Sequence, residues 1–259
     1  MNQELVKVSN WLRANRLSLN ISKTTYILFK VRKQVDILPQ LILNNVEISR
    51  VQTTKFLGVT IDEKLNWSHH IKNVENKLAS SLFIINKIKH KITLSTLPLL
   101  YDAVIHSNLI YCNLIWSTTY KKYTTKLIKL QKRALNLCFS DLKTPNISIF
   151  TASNRLSVQL IATYQILQLV HQFFYDPNIL PLPISKLLKK INTVHIYNTK
   201  AVDDMNLFSH FSKTDIRKSC FKITAPVHWN LLPINIKQTI SLFVFQKTLK
   251  VHLLKDHNK

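Results

Sequence analysis

The chain has 259 residues, a hydrophobic fraction of 46%, and 36 Lys and Arg against 13 Asp and Glu, a formal net charge of +23. The hydrophobic fraction excludes general disorder, and no run approaches the ~18 consecutive apolar residues of a membrane span. The charge asks for a polyanion, with nucleic acid expected ahead of an anionic membrane surface.

In chain order, residues 3–15 read as a helix with Leu5, Val8 and Leu12 on one face and Trp11 beside them. Three short apolar runs follow, Thr25–Phe29, Gln40–Leu43 and Lys55–Ile61, each bounded by Asn, Pro or charged residues and each expected as a strand. Asn44 and Asn45 suit a hairpin turn before Val46–Ile48. From Ser68 the period changes. Ile71, Val74, Leu78, Leu82, Ile85 and Ile88 recur every three or four residues, which predicts a helix of about six turns. Further helices are expected over Thr96–Ile115, with Pro98 in its first turn, and over Lys122–Phe139, with Pro145 ending the run. Residues 153–175 predict another helix. Pro177, Pro181 and Pro183 mark a linker near 176–200, and a last helix covers about 238–255. The fold class expected is an α+β N-terminal block, 1–62, followed by a mainly helical region, 63–142, and a mostly helical extension, 143–259.

The positive excess is spread along the chain: +8 over residues 1–90, +6 over 91–140 and +9 over 141–259. The N-terminus lacks the apolar core of a signal peptide, so an intracellular, reducing compartment, cytoplasmic or nuclear, is expected. Cys112, Cys138 and Cys220 form neither a disulfide framework nor a zinc spacing and are expected as buried structural thiols. Trp11, Trp67, Trp116 and Trp229 lie among apolar neighbours, which favours core packing over base stacking. His69 and His70 point about 100° apart on a helix and share no ligand face. Asp203 and Asp204 read as two acids on a solvated turn. Gly58 is the sole glycine, which suits an AT-rich genome or a copy that has drifted.

The clearest charged surface lies on Lys122–Leu137. With Lys126 at zero and 100° per residue, Lys122, Lys129 and Arg133 fall within about 60° of it, and Lys121 and Lys132 extend the arc. Leu127, Leu130, Ala134, Leu135, Leu137 and Cys138 take the other side. No acid occurs between Asp102 and Asp141. The expectation is a sequence-independent contact to phosphates; the plain alternative is a helix solvated by its lysines.

Several blocks carry a resemblance. WLRANRLSLNISKTTYILF (11–29) resembles the segment that follows the active-site hairpin in reverse transcriptases of non-LTR (LINE-type, jockey-like) retrotransposons. FLGVTID (56–62) is similar to the next strand, at the palm–thumb border, and Trp67, His70 and Ile71 to the start of the thumb. LIYCNLIWSTTY (109–120), LIKLQKRALNL (127–137), HIYNTK (195–200) and HWNLLP (228–233) resemble later blocks of the same elements, in the same order. The chain departs from the pattern at Ser117 and Ala225, where glycine is usual, at Lys200, where arginine is frequent, and at His228, where leucine is usual.

The resemblance implies a right-hand polymerase: palm end at 1–62, thumb at 63–142, extension at 143–259. In such enzymes a Phe/Tyr-Ala-Asp-Asp turn and an earlier Asp hold two divalent metals for phosphoryl transfer. That turn precedes the Leu17 segment; Glu4 is the only acid before Leu17. No catalytic and no metal-binding residue is therefore expected, and Mg²⁺ is expected only for the intact parent. Lys23, in an Asn-x-x-Lys pattern with Asn20, would face the triphosphate of an incoming nucleotide in an intact enzyme; the alternative is a solvated lysine at a strand start. Gly58 would let the primer backbone approach closely; the alternative is a β-bulge without ligand. The expected nucleic-acid-binding residues are thus Lys23, Gly58, Lys122, Lys126, Lys129 and Arg133. The expected partners are RNA or DNA, as template–primer, and an upstream palm, without a membrane. The function expected is that of a reverse-transcriptase fragment, inactive alone. A stand-alone basic nucleic-acid-binding module and an inert remnant of a decayed element are the alternatives.

Overall fold

In the computed structural model, which describes residues 1–29, 40–117, 119, 121–142, 147–193 and 204–256, the first helix α1 spans Asn2–Ala14. Leu5 and Leu12 are half-buried, but the helix is turned so that Ser9, not Val8, faces inward. The Ser9 hydroxyl donates to Asn44 Oδ1 at 2.9 Å, a bond that Val8 could not make. Val8 and Trp11 stay exposed, Trp11 by 60%, so this tryptophan is not in the core.

Three two-stranded sheets follow among the described residues. β1 (Thr25–Tyr26) pairs in parallel with β4 (Ser49–Arg50), so the strand expected over Thr25–Phe29 shortens to two residues. β2 (Ile42–Leu43) and β3 (Val46–Glu47) form the expected hairpin, with Asn44 and Asn45 at φ 49° and 63°, the two positive values of a type I′ turn. Leu41, Leu43 and Ile48 form a small core against Leu5, Leu19 and Tyr26. The single strand expected over Lys55–Ile61 is instead a hairpin: β5 (Thr53–Phe56) and β6 (Val59–Asp62) pair antiparallel around Leu57 and Gly58. Their φ values of 45° and 82° make a second type I′ turn. The buried Asp62 carboxylate then accepts backbone N–H bonds from Lys64, Asn66 and Trp67, closing the loop that precedes the next helix.

The chain divides into two compact units, Met1–His70 and Ile71–Lys259. The division falls within α2 (Ser68–Ile88), whose Ile71, Val74, Leu78, Leu82 and Ile85 are buried as their spacing predicts.

The helix expected over Thr96–Ile115 is interrupted. α3 (Thr96–Tyr101) passes into a π-helical turn (Asp102–His106), then α4 (Ser107–Ile110), and after a break α5 (Asn113–Trp116). Tyr111 is extended and Cys112 is left-handed with φ 50°. The backbone groups freed by the break find partners. Trp116 Nε1 donates to Tyr111 O at 2.9 Å, and Gln165 donates to Ile110 O while accepting from Leu114 N. The π turn also holds Asp102, which accepts from Arg155 Nε at 2.9 Å and from its Nη2.

α6 spans Lys121–Cys138, α7 Ile149–Ala152 and α8 Val158–Tyr175. α8 begins five residues later than expected because Ser157 caps it, its hydroxyl accepting from Leu160 N. Pro145 lies outside the described residues. In the described part of the stretch expected as a linker near 176–200, α9 (Leu182–Ser185) forms, Leu180 and Leu188 are buried, and Lys190 bridges to Leu207. HIYNTK and Asp203 fall outside the described residues; Asp204 is half-buried at a turn.

The last four helices among the described residues are α10 (Asp215–Lys218), α11 (Phe221–Asn230), α12 (Ile234–Lys237) and α13 (Leu242–Asp256). Trp229 is fully buried, with Phe174 stacked on it at 5.1 Å. Lys237 is 2% exposed, and its ammonium donates to Asp204 O, Asn206 Oδ1 and Asn230 O. Of the cysteines only Cys138 is buried. Cys112 is half-buried at the helix break and Cys220 is exposed at the start of α11; none of the three is in a disulfide.

Candidate nucleic-acid interface

The candidate surface rests on α6, and one polar side chain fixes how α6 is seated. Leu127, Ala134 and Leu135 are fully buried on its inner side, and so is Gln131. At 100° per residue Gln131 lies about 140° from Lys126, inside the apolar arc. Both ends of its amide are engaged: Nε2 donates to the Tyr101 hydroxyl (3.1 Å) and to Leu156 O (2.9 Å), while Oε1 accepts from Val158 N (3.0 Å). Thr124, also buried, accepts from Gln159 Nε2 at 3.2 Å. These bonds tie α6 to α3 and to the start of α8. Burial pushes the Tyr101 hydroxyl pKa up to about 12, the Gln131 bond and the Arg155 charge opposing the shift. The tyrosine is therefore a neutral partner for Gln131 at any physiological pH. Sequence reasoning missed Gln131 and Thr124; the available signal was a polar residue in the middle of an apolar arc.

With the inner side pinned, the outer side is determined. Lys122, Lys126, Lys129, Lys132 and Arg133 are all exposed. At a rise of 1.5 Å per residue, Lys122 to Arg133 covers roughly 16 Å along the helix. Leu130 and Leu137, counted with the apolar side of the helix, are half-buried. They open onto a groove of about 480 Å³ whose walls include Leu82, Phe83 and Asn86 of α2 and Leu130, Arg133 and Leu137 of α6. Phe83 is 61% exposed there, with Lys87 Nζ 4.5 Å from its ring centroid. The basic row therefore runs into an apolar groove.

Lys23 and Gly58 belong to the other unit. Lys23 is exposed at the end of a 3-10 turn, Ile21–Lys23, and the Asn20 side chain caps that turn by accepting from Lys23 N at 3.2 Å. Asn20 and Lys23 are thus linked locally through side chain and backbone. Gly58 is a turn residue and not a strand residue, and its positive φ is accounted for by the hairpin. His70 is buried and its Nδ1 accepts from Thr60 N at 3.3 Å, whereas His69 is exposed. Among the described residues no group of three or more His, Cys, Asp or Glu is placed to hold a metal ion. Among the same residues no helix is long and apolar enough to cross a membrane.

The chain is 21% identical over 134 residues to a protein of Drosophila melanogaster described as a probable RNA-directed DNA polymerase from transposon X-element. The match takes in 51% of this chain and 14% of that protein, so this chain corresponds to a small part of its relative. The likeness supports a reverse-transcriptase-like origin. No protein-family model matches the chain. No solved structure matches it either.

Proposed function

We propose that this chain is a C-terminal portion of a non-LTR, jockey-like reverse transcriptase, carrying part of its template–primer contact surface and not its catalytic carboxylates. In this reading the block 1–62 is the end of the palm, 63–142 is thumb and 143–259 is the downstream extension. The observation that carries the nucleic-acid reading is the exposed row of Lys122, Lys126, Lys129 and Arg133 on α6. The sequence has no acid between Asp102 and Asp141. A row of one sign on a rigid helix suits a phosphate backbone and reads no base sequence. The Mg²⁺ chemistry of polymerisation belongs to residues outside this sequence, and the partners are RNA or DNA and an upstream palm.

The test combines binding and activity. The chain should bind an RNA–DNA primer–template with affinity that falls steeply with salt, and should extend no primer with Mg²⁺ or Mn²⁺ unless an upstream palm is supplied. Salt-independent binding contradicts the reading, and so does primer extension that survives substitution of Asp203 and Asp204. A second reading, a stand-alone basic nucleic-acid-binding module, is favoured by the dense core within Ile71–Lys259. Finding the Phe-Ala-Asp-Asp turn in frame upstream of Met1 in genomic DNA selects the first reading.

A further inference from the structure

The groove between α2 and α6 differs chemically from the lysine row that leads to it. Its walls are apolar at Ala79, Leu82, Leu130 and Leu137, and polar at Asn86 and Asn136. Phe83 presents its ring at the rim with 61% exposure. Lys87 lies over that ring, and Arg133 belongs both to the groove and to the basic row. Asn86 and Asn136 are exposed, and their amides have no hydrogen-bond partner among the described residues. The volume, about 480 Å³, falls within the roughly 300–1,000 Å³ of small-ligand pockets.

We infer that this groove takes an unpaired nucleobase of a single-stranded segment, stacked on Phe83, while Arg133 and the lysines of α6 hold the adjoining phosphates. The inference rests on the nucleic-acid reading of α6 and adds to it the class of nucleic acid: single-stranded, or a duplex with a single-stranded end. Three features support it together. A base offers a flat apolar face, which fits an exposed aromatic ring between leucines, and such stacking tolerates any base. A base edge carries donors and acceptors, which fits two free carboxamides. The flanking charge is mainly cationic, from Lys87 on α2 and from Lys126, Lys129 and Arg133 on α6, while Glu75 on α2 is paired with Lys72 at 3.3 Å; this balance suits a phosphodiester and repels a basic peptide. A fully paired duplex keeps its base faces stacked inside and has nothing to give the groove.

The experiment measures binding of the full chain to fluorescein-labelled oligo(dT) and to a blunt duplex of equal length, by anisotropy at fixed salt. Phe83→Ala should weaken oligo(dT) binding by about tenfold, leave duplex affinity within twofold, and leave the salt slope unchanged. Phe83→Trp should retain oligo(dT) binding and add a fluorescence quench on oligo(dT) that blunt duplex does not produce. Because Phe83 is exposed, neither change removes core packing. Equal oligo(dT) affinity for parent and Phe83→Ala overturns the inference, as does an equal loss on both ligands or a Phe83→Trp variant without the quench. These failures are separable from failure of the α6 reading, which shows in the salt slope and not in the single-strand preference. If Phe83→Ala leaves every nucleic-acid measurement unchanged, the groove belongs to a protein partner and the inference falls.

Discussion

Gln131 Nε2 donates to the hydroxyl of Tyr101 at 3.1 Å, 30 residues away, with both side chains fully buried. The same amide satisfies Leu156 O and Val158 N, so replacing it leaves backbone groups buried and unmatched. Each such group costs about 1–3 kcal/mol. Gln131→Ala should therefore destabilise the fold by roughly 2–4 kcal/mol, and Tyr101→Phe by about 1 kcal/mol. Urea denaturation of the three proteins decides it; a Gln131→Ala variant no less stable than Tyr101→Phe removes Gln131 as the anchor of α6.

Leu57 holds φ 45° in the β5–β6 turn, a conformation that costs a Cβ-bearing residue about 1–2 kcal/mol. Its side chain is 74% exposed, so little packing is lost by changing it. Leu57→Asn creates the Asn-Gly pair preferred in type I′ turns and should stabilise the hairpin by about 1 kcal/mol. Gly58→Ala, at φ 82°, should destabilise it by a similar amount. Thermal melting that ranks the variants in the opposite order contradicts the turn assignment.

His171 is fully buried, its Nε2 2.7 Å from Thr239 O and its ring stacked on Phe245 at 4.3 Å. Burial lowers its pKa from the ordinary value of 6.5, the Thr239 bond and Asp176 opposing. His106 and His228 are also lowered, by burial first. A histidine with a folded pKa below the unfolded one contributes stability that is present above about pH 6.5 and lost as pH falls through the folded value. Stability should thus decline below pH 6.5, and His171→Gln should flatten that decline. A parent protein equally stable at pH 7.5 and pH 5 contradicts this.

What the sequence disclosed and what it hid divide along physical lines. α2 and α6 were legible because their apolar residues recur at the helical period over five turns or more, which local reading detects. The Asn44–Asn45 hairpin was legible because two asparagines tolerate positive φ. Its counterpart at Leu57–Gly58 was not, since leucine is a poor turn residue and the apolar flanks read as one strand. The break at Cys112 depends on Gln165, more than 50 residues away, and α11 carries Pro226 in its interior; neither has a local signature. At the candidate surface the basic row could be counted from spacing alone. The groove beside it could not, because it exists only where α2 and α6 come together.

Among the described residues, the strands of the first unit form two-stranded pairs, which are marginal in water without further support. Amide hydrogen exchange should therefore be fast at β1, β2 and β3 and slowest in α6 and α8, whose inner faces are fully buried. Slower exchange at Ile42–Val46 than at Leu127–Leu135 contradicts the order of local stabilities.

The most direct test of the central claim is the salt dependence of duplex binding. Each phosphate neutralised adds about −0.9 to the slope of log K against log salt. Changing Lys122, Lys126, Lys129 and Arg133 together to Gln should flatten that slope by roughly three to four units, with circular dichroism unchanged because the buried side of α6 is untouched. A quadruple variant that keeps the parent's slope shows that α6 is not the contact surface and contradicts the account.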